Sequence, residues 1–176
     1  RCVQYTMKPS NFHSMSDLAC KVVAFSTDPG FNSDECVDWA VDMLALGHQS
    51  ESLMMLAALS KPTNHFETID YLRRAFGELG LVEKSGMEGI RSYSSYYIRK
   101  IANGEEVRKN LNQIRLYGLA RGYESIIHDF YLLCNAWEDI DDGREPSLYW
   151  TGANKNNIGH LVVEKAQPWL AENNLK

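Results

Sequence analysis

The chain has 176 residues, of which 44% are hydrophobic and 23% are charged, and its formal net charge at pH 7 is −5. This length and balance suit a globular domain that buries a core without disulfides, which excludes a disordered chain. The negative charge argues against direct nucleic-acid binding, because that binding depends on lysine and arginine displacing counterions from phosphates. A basic protein partner is electrostatically more favourable, although the same charge also keeps a protein soluble.

The cysteines and the apolar runs limit the remaining classes. Cys2, Cys20, Cys36 and Cys134 form no CxxC pair and no zinc-ligand pattern with histidine, so we expect no metal site and no other cofactor. No apolar run approaches the roughly 18 residues of a membrane span, and no signal segment is evident. We therefore predict a cytoplasmic protein that does not engage a membrane.

Apolar residues at helical spacing, separated by glycine and proline stops, predict helices along the whole chain. In chain order they are expected over residues 14–25, 32–47, 50–61, 64–80, 87–102, 105–119, 123–137 and from 156 onward. Pro168 is expected to bend or end the last of these. Residues 147–150 are assigned to a loop, because three apolar residues in a row are weak evidence for a strand.

Two of the predicted helices begin with the spacing of a capping box. Asn32 with Glu35 and Asn64 with Glu67 each place an acceptor and a glutamate three residues apart. Gly80 stands where a left-handed C-cap belongs. These signals make the stretch around residues 36–81 the most clearly specified part of the chain.

The fold class that follows is all-α, an irregular bundle of about seven or eight helices arranged as successive helical hairpins. No residue pattern recurs at a fixed period, which argues against a true repeat solenoid. No linker or composition shift divides the chain, so residues 1–176 are predicted to form a single helical domain. Residues 1–10 are expected to be disordered or not to be part of the native domain.

Catalytic motifs are absent from the sequence. It contains no phosphate-binding GxxxxGK[ST], no HExxH and no GxSxG. His13 and His65 lie at helix starts, His48 lies in a turn and His160 is isolated. An enzyme needs positioned acids, bases, nucleophiles or a metal. We therefore predict that the protein is not an enzyme.

One pair of residues favours an enzymatic alternative. Arg121, six intervening residues and His128 resemble the loose signature of the HEPN ribonucleases, helical dimers whose Arg and His pairs converge on RNA. The sequence departs from that family at Gly122, where a polar residue is common. The glycine is expected to place Arg121 before the helix that carries His128. A helical ribonuclease is thus the alternative function.

The strongest charge feature is an acidic run at the end of the helix over residues 123–137. Carboxylates at a helix C-terminus oppose the helix dipole, so the run is not explained by helix stability. A row of carboxylates can imitate a phosphate backbone and occupy a cationic groove of a partner. Large aromatics follow in the next loop, either as core plugs or as interface anchors. The predicted partner-binding residues are Glu138, Asp139, Asp141, Asp142, Tyr149 and Trp150.

The stretch from Cys36 to Leu81, about a quarter of the chain, carries a family resemblance. It rests on Trp39-Ala40, Met43-Leu44, Gly47, residues 50–53, Leu56-Ala57, Leu59, Asn64, Phe66-Glu67, Tyr71-Leu72, Ala75 and residues 78–80. This pattern resembles small bacterial helical proteins that include immunity proteins of contact-dependent growth inhibition. The resemblance implies a small acidic antitoxin that binds a toxin domain, for example a basic nuclease, and blocks its active site. A helical adaptor protein is a further alternative, and the oligomeric state is left open.

Overall fold

The computed structural model describes residues 15–122 and 125–173, and its regular structure in these ranges is entirely helical. Its helices are α1 (Ala19–Val22), α2 (Asp34–Ala45), α3 (Glu51–Ala57), α4 (His65–Leu79), α5 (Gly86–Ala102), α6 (Val107–Arg121), α7 (His128–Asp141) and α8 (Ile158–Glu172). Single turns of 3₁₀ helix lie at Phe25–Thr27 and Ser125–Ile127. The predicted all-α bundle of seven or eight helices is confirmed.

Helices that follow one another in the chain pack against one another. Helices α2, α3 and α4 do so in succession, and so do α5, α6 and α7. Helix α1 contacts both α2 and α5, and α8 packs against α5, α6 and α7. This arrangement of hairpins places the end of α7 beside α6, where the candidate site lies.

The core of the α2–α4 unit is built from large side chains on the predicted apolar stripes. Trp39, Leu53, Leu56 and Leu72 are fully buried, and the ring of Trp39 meets Phe76 edge-on with centroids 5.6 Å apart. Burial of each such side chain contributes about 1.5–3 kcal/mol. The apolar periodicity therefore explains why these three helices associate.

The end signals of α4 act as the sequence predicts. The side-chain oxygen of Asn64 accepts hydrogen bonds from the backbone N–H groups of Phe66 and Glu67, at 3.0 and 3.3 Å. Gly80 closes the helix in the left-handed conformation with φ 69°. Both ends of this helix are thus fixed by local sequence.

Only half of the predicted capping box forms at the start of α2. The side-chain oxygen of Asn32 accepts from the N–H of Asp34 at 3.1 Å, and Ser33, the residue directly before α2, makes no side-chain capping bond. Glu35 does not reach back to the helix start, because its carboxylate binds the ammonium group of Lys21. A tertiary ion pair thus takes the place of the reciprocal bond that Glu35 would make in a capping box.

Lys21 carries an ammonium group that lies inside the protein. Its side chain is 7% exposed and ion-paired with Glu35 at 2.7 Å. The rings of Tyr93, Tyr96 and Tyr97 lie 5.3, 5.7 and 5.0 Å from its nitrogen, at cation–π distance. Burial acts to lower the pKa of Lys21, but hydrogen bonds to Glu35 and Tyr97 outweigh it and the pKa is raised. The charged lysine thus joins α1 to α2 and α5.

The first helix is shorter than its periodicity predicts. Only Ala19–Val22 are α-helical, whereas the expected helix covers residues 14–25, of which residue 14 lies outside the described ranges. The hydroxyl of Ser16 accepts from the N–H of Leu18 and donates to the carboxylate of Asp42 at 3.0 Å. These bonds hold the chain against α2 and leave α1 as a single turn.

In the C-terminal half of the chain, the structure differs from two further predictions. The helix predicted over residues 123–137 begins only at His128, after left-handed Gly122 and the 3₁₀ turn Ser125–Ile127, and residues 123–124 lie outside the described ranges. Pro168 does not end α8, which continues to Glu172. No helix in residues 15–122 or 125–173 has the length and hydropathy needed to cross a bilayer.

Two cysteines, Cys36 and Cys134, lie on the apolar faces of α2 and α7 and are buried. Cys36 and Cys134 are free thiols with 0% and 1% exposure. Burial raises the pKa of the Cys36 thiol to about 12, and nearby carboxylates add to this. Both thiols are therefore core packing groups and not nucleophiles.

Candidate protein-binding site

The acidic run lies on the last turn of α7 and divides between two environments. The side chains of Glu138, Asp141 and Asp142 are 43%, 57% and 66% exposed. Asp139 points inward and its side chain is only 9% exposed. Phe130 and its buried neighbours hold the opposite face of α7 in the core, which fixes the direction of the carboxylates. Three of the four predicted carboxylates therefore reach the surface.

Arginines of α6 bind two of these carboxylates. Arg115 lies 3.2 Å from Glu138, and Arg108 lies 2.9 Å from Asp141. The guanidinium of Arg108 also stacks 4.9 Å from the ring centroid of Trp137. Early residues of α6 thus pair with late residues of α7, as in helices that run in opposite directions.

A third arginine fixes the loop that leaves α7. The guanidinium of Arg144 lies 3.0 Å from Asp139 and 2.8 Å from Asp142. The hydroxyl of Ser147 lies 3.5 Å from the same Asp139 carboxylate and accepts from the N–H of Tyr149 at 3.1 Å. The inward carboxylate is therefore the structural anchor of this loop.

These contacts reduce the charge of the acidic run. Its four carboxylates face three guanidinium groups, which leaves a formal net charge of −1. The arginines also offset the repulsion between carboxylates and the C-terminal dipole of α7. The surface is therefore a network of ion pairs, called the ion-pair network below, and not a uniformly negative patch.

Residues 143–152, called the 143–152 loop below, present apolar side chains next to the ion-pair network. Leu148 is 95% exposed and Tyr149 is 46% exposed. Trp150 is partly buried and packs against the core. Of the two predicted aromatic residues, Tyr149 therefore lies at the surface, whereas Trp150 packs between the loop and the core.

The carboxylates and Tyr149 line one shallow groove of about 440 Å³, called the acidic groove below. Its walls are formed by Arg108, Asn135, Glu138, Asp139, Asp141, Asp142, Arg144 and Tyr149. Five of the six predicted site residues thus come together, and Trp150 lies beside them in sequence without lining the groove. The groove is open to solvent.

Comparison with protein-family models, curated proteins and solved structures gives no match to this chain. The resemblance to immunity proteins therefore stays a prediction.

The pair expected for the ribonuclease alternative is divided between two helices. Arg121 is the last residue of α6 and His128 is the first residue of α7. Gly122, left-handed with φ 79°, separates them as its position in the sequence predicts. The ring of His128 is exposed and stacks on Tyr131 with centroids 6.1 Å apart. The described cavities include neither residue of the pair in their walls.

A metal centre is not formed by the residues that the structure describes, since they contain no group of three His, Cys, Asp or Glu side chains placed to hold an ion. The carboxylates of the acidic groove bind arginines instead.

Sequence reasoning missed four residues of this surface. Arg108 and Arg115 are seven positions apart on α6, which places them on one face, and that spacing could have predicted a basic stripe facing the acidic run. Arg144 follows α7 directly and could have been paired with it. Leu148 gave no periodic signal, because its exposure depends on its neighbours Ser147, which is buried, and Trp150, which is partly buried.

Proposed function

We propose that this chain is a non-enzymatic protein-binding domain, specifically an immunity-type protein that binds a cognate, basic toxin domain and blocks its active site. The binding surface is the acidic groove together with the 143–152 loop. Support comes from the apolar anchors of the loop, the exposed carboxylates beside them and the net charge of −5.

The observation that carries this proposal is the exposure of Leu148. A leucine that is 95% exposed next to the half-exposed ring of Tyr149 leaves apolar area in water on a loop whose base is held by ion pairs. Apolar and aromatic anchors on a rigid support, surrounded by polar groups, are the anatomy of a protein interface. A partner that covers both side chains removes this apolar area from water, which favours binding.

Electrostatics supply orientation and encounter rate. Asp141 and Asp142 are more than half exposed, so their charges act on an approaching basic surface. Arg108 and Arg144 already occupy one side of these carboxylates, so a cationic group of the partner has to share them. We therefore expect the carboxylates to affect the association rate more than the dissociation rate.

The test is charge reversal with the partner recovered by copurification from the native host. Asp141→Lys combined with Asp142→Lys is expected to lower the association rate constant about tenfold or more at low salt, with a smaller effect at high salt. Stopped-flow or biosensor kinetics at two salt concentrations measure it.

A matched control is Asp70→Lys, because Asp70 is 61% exposed and paired with Arg74 in the same way, but lies on α4. This variant is expected to change the association rate by less than about threefold, since its charge is distant from the groove. Equal rates for the groove variant and the unmodified protein would remove the acidic groove from the proposed interface.

A further inference from the structure

A second cavity lies at the other end of α7. It has a volume of about 540 Å³, is open to solvent, and lies between α5, α7, α8 and the 3₁₀ turn Ser125–Ile127. Its walls are Met87, Arg91, Ser125, Ile126, Asp129, Lys165, Pro168, Trp169, Glu172 and Asn173. This volume lies in the range of about 300–1,000 Å³ found for small-molecule pockets.

Arg91 is the unusual residue of this cavity. The Nε atom of its guanidinium is buried and has no hydrogen-bond partner. Each of the other arginines in residues 15–122 and 125–173 has a hydrogen bond, an ion pair or another electrostatic or ring contact. Arg91 makes no such contact with any residue that the structure describes.

Only the Nε atom of this guanidinium is buried, because the Arg91 side chain as a whole is partly exposed. A buried N–H without a partner is unfavourable, so a ligand oxygen that accepts a hydrogen bond from this Nε atom would be stabilised there. Lys165, the other cationic side chain of the cavity, is not unpaired, because it forms an ion pair with Asp129. Arg91 therefore contributes a positive charge with free donors to a cavity whose one lysine, Lys165, is already ion-paired.

The remaining walls determine which anion fits. Trp169, Ile126 and Met87 supply apolar surface, and the indole N–H of Trp169 is occupied by the carbonyl of Ile126 at 2.7 Å. Glu172 adds a carboxylate at the wall and would repel a doubly charged phosphate. A guanidinium fork beside an apolar wall suits a singly charged carboxylate carried on a small apolar or aromatic frame.

We propose that this cavity binds a small apolar or aromatic carboxylate, with Arg91 holding the carboxylate and Trp169 packing against the frame. The site is separate from the acidic groove. Asp129 and Asp141 stand near opposite ends of α7, about 18 Å apart along its axis at ~1.5 Å per residue. The inference therefore does not depend on the proposed toxin-binding surface.

The experiment is an NMR titration of the full chain that follows the indole N–H resonance of Trp169, assigned by its loss in Trp169→Phe. Acetate, phenylacetate and indole-3-acetate are added, with phenylacetamide as the uncharged match and inorganic phosphate as the alternative anion. We expect a saturable shift with the two aromatic carboxylates. Phenylacetamide and phosphate are expected to bind at least about tenfold more weakly.

The variant Arg91→Met separates a binding role from a structural one. It is expected to weaken phenylacetate at least about tenfold, which corresponds to about 1.4 kcal/mol, and to leave the melting temperature unchanged or raise it. Arg74→Met, which removes an exposed arginine of α4, should alter neither binding nor the Trp169 resonance.

Three results would overturn the proposal. One is the absence of a saturable shift with any of the carboxylates, and another is equal binding of phenylacetate and phenylacetamide. The third is a lower melting temperature of Arg91→Met with unchanged phenylacetate affinity, which would make Arg91 a structural residue.

Discussion

Replacement of Lys21 by alanine is expected to lower the free energy of unfolding by about 3–5 kcal/mol, as is typical when one partner of a buried ion pair is removed. The loss arises because the carboxylate of Glu35 stays partly buried without its counter-charge. The variant also leaves a space among the rings of Tyr93, Tyr96 and Tyr97. Urea unfolding monitored by circular dichroism measures the change.

The control for this prediction is Arg74→Ala, which breaks the ion pair of Arg74 with Asp70 on the surface of α4. Both side chains of that pair are about three-fifths exposed, at 59% and 61%. An exposed pair contributes about 0–1 kcal/mol, so the control should be nearly neutral. Similar losses for the two variants would contradict the assignment of Lys21 as a buried structural cation.

The same lysine predicts an alkaline limit to stability. Its pKa is raised in the folded state, so its contribution is fully present below the unfolded pKa of about 10.4 and is lost as the pH rises through the folded pKa. In Lys21→Met the loss of stability between neutral pH and strongly alkaline pH should be smaller than in the unmodified protein. Burial also raises the pKa of Tyr93, so part of the alkaline loss should persist.

Replacement of Gly89 by alanine is expected to destabilise the protein by about 2–3 kcal/mol, although alanine is the better helix former by ~1 kcal/mol. A Cβ atom on Gly89 would lie 2.5 Å from the methyl group of Thr27 and 2.8 Å from the backbone oxygen of Lys84. Neither neighbour is free to move. Thr27 bonds to Ala24 and Tyr117, and the N–H of Lys84 donates to the carbonyl of Val23 at 2.7 Å.

Gly77 provides the matched control, because it also lies within a helix and a Cβ atom there would meet nothing within 4 Å. Gly77→Ala should stabilise the protein by about 0.5–1 kcal/mol. Thermal or urea unfolding of both variants gives the comparison. A Gly89→Ala variant as stable as Gly77→Ala would show that α5 does not approach Thr27 and Lys84 as closely as described.

Local signals in the sequence predicted those parts of the fold that depend on local physics. Asn64 caps α4 and Gly80 closes it, because a cap needs only residues that are neighbours in the chain. Trp39, Leu56 and Leu72 lie in the core because the apolar stripe of a helix has nowhere else to be buried. The number and order of the helices followed from such signals.

Tertiary interactions account for what the sequence could not predict. Glu35 has capping-box spacing, but its carboxylate binds Lys21, a residue on another element. The pairing of the acidic run with Arg108 and Arg115 depends on α6 lying beside α7, which no local pattern states. Leu148 is exposed because its neighbours anchor the loop, and that anchoring passes through buried Asp139.

The central claim, that the 143–152 loop binds a protein partner, is tested most directly by the partner's affinity for a variant carrying Leu148→Ala and Tyr149→Ala. Val82→Ala is the control, since Val82 is 74% exposed and lies between α4 and α5. We predict at least about 30-fold weaker binding for the loop variant, equivalent to ~2 kcal/mol, and unchanged binding for the control. An unchanged affinity of the loop variant for the copurified partner in calorimetry would contradict the account.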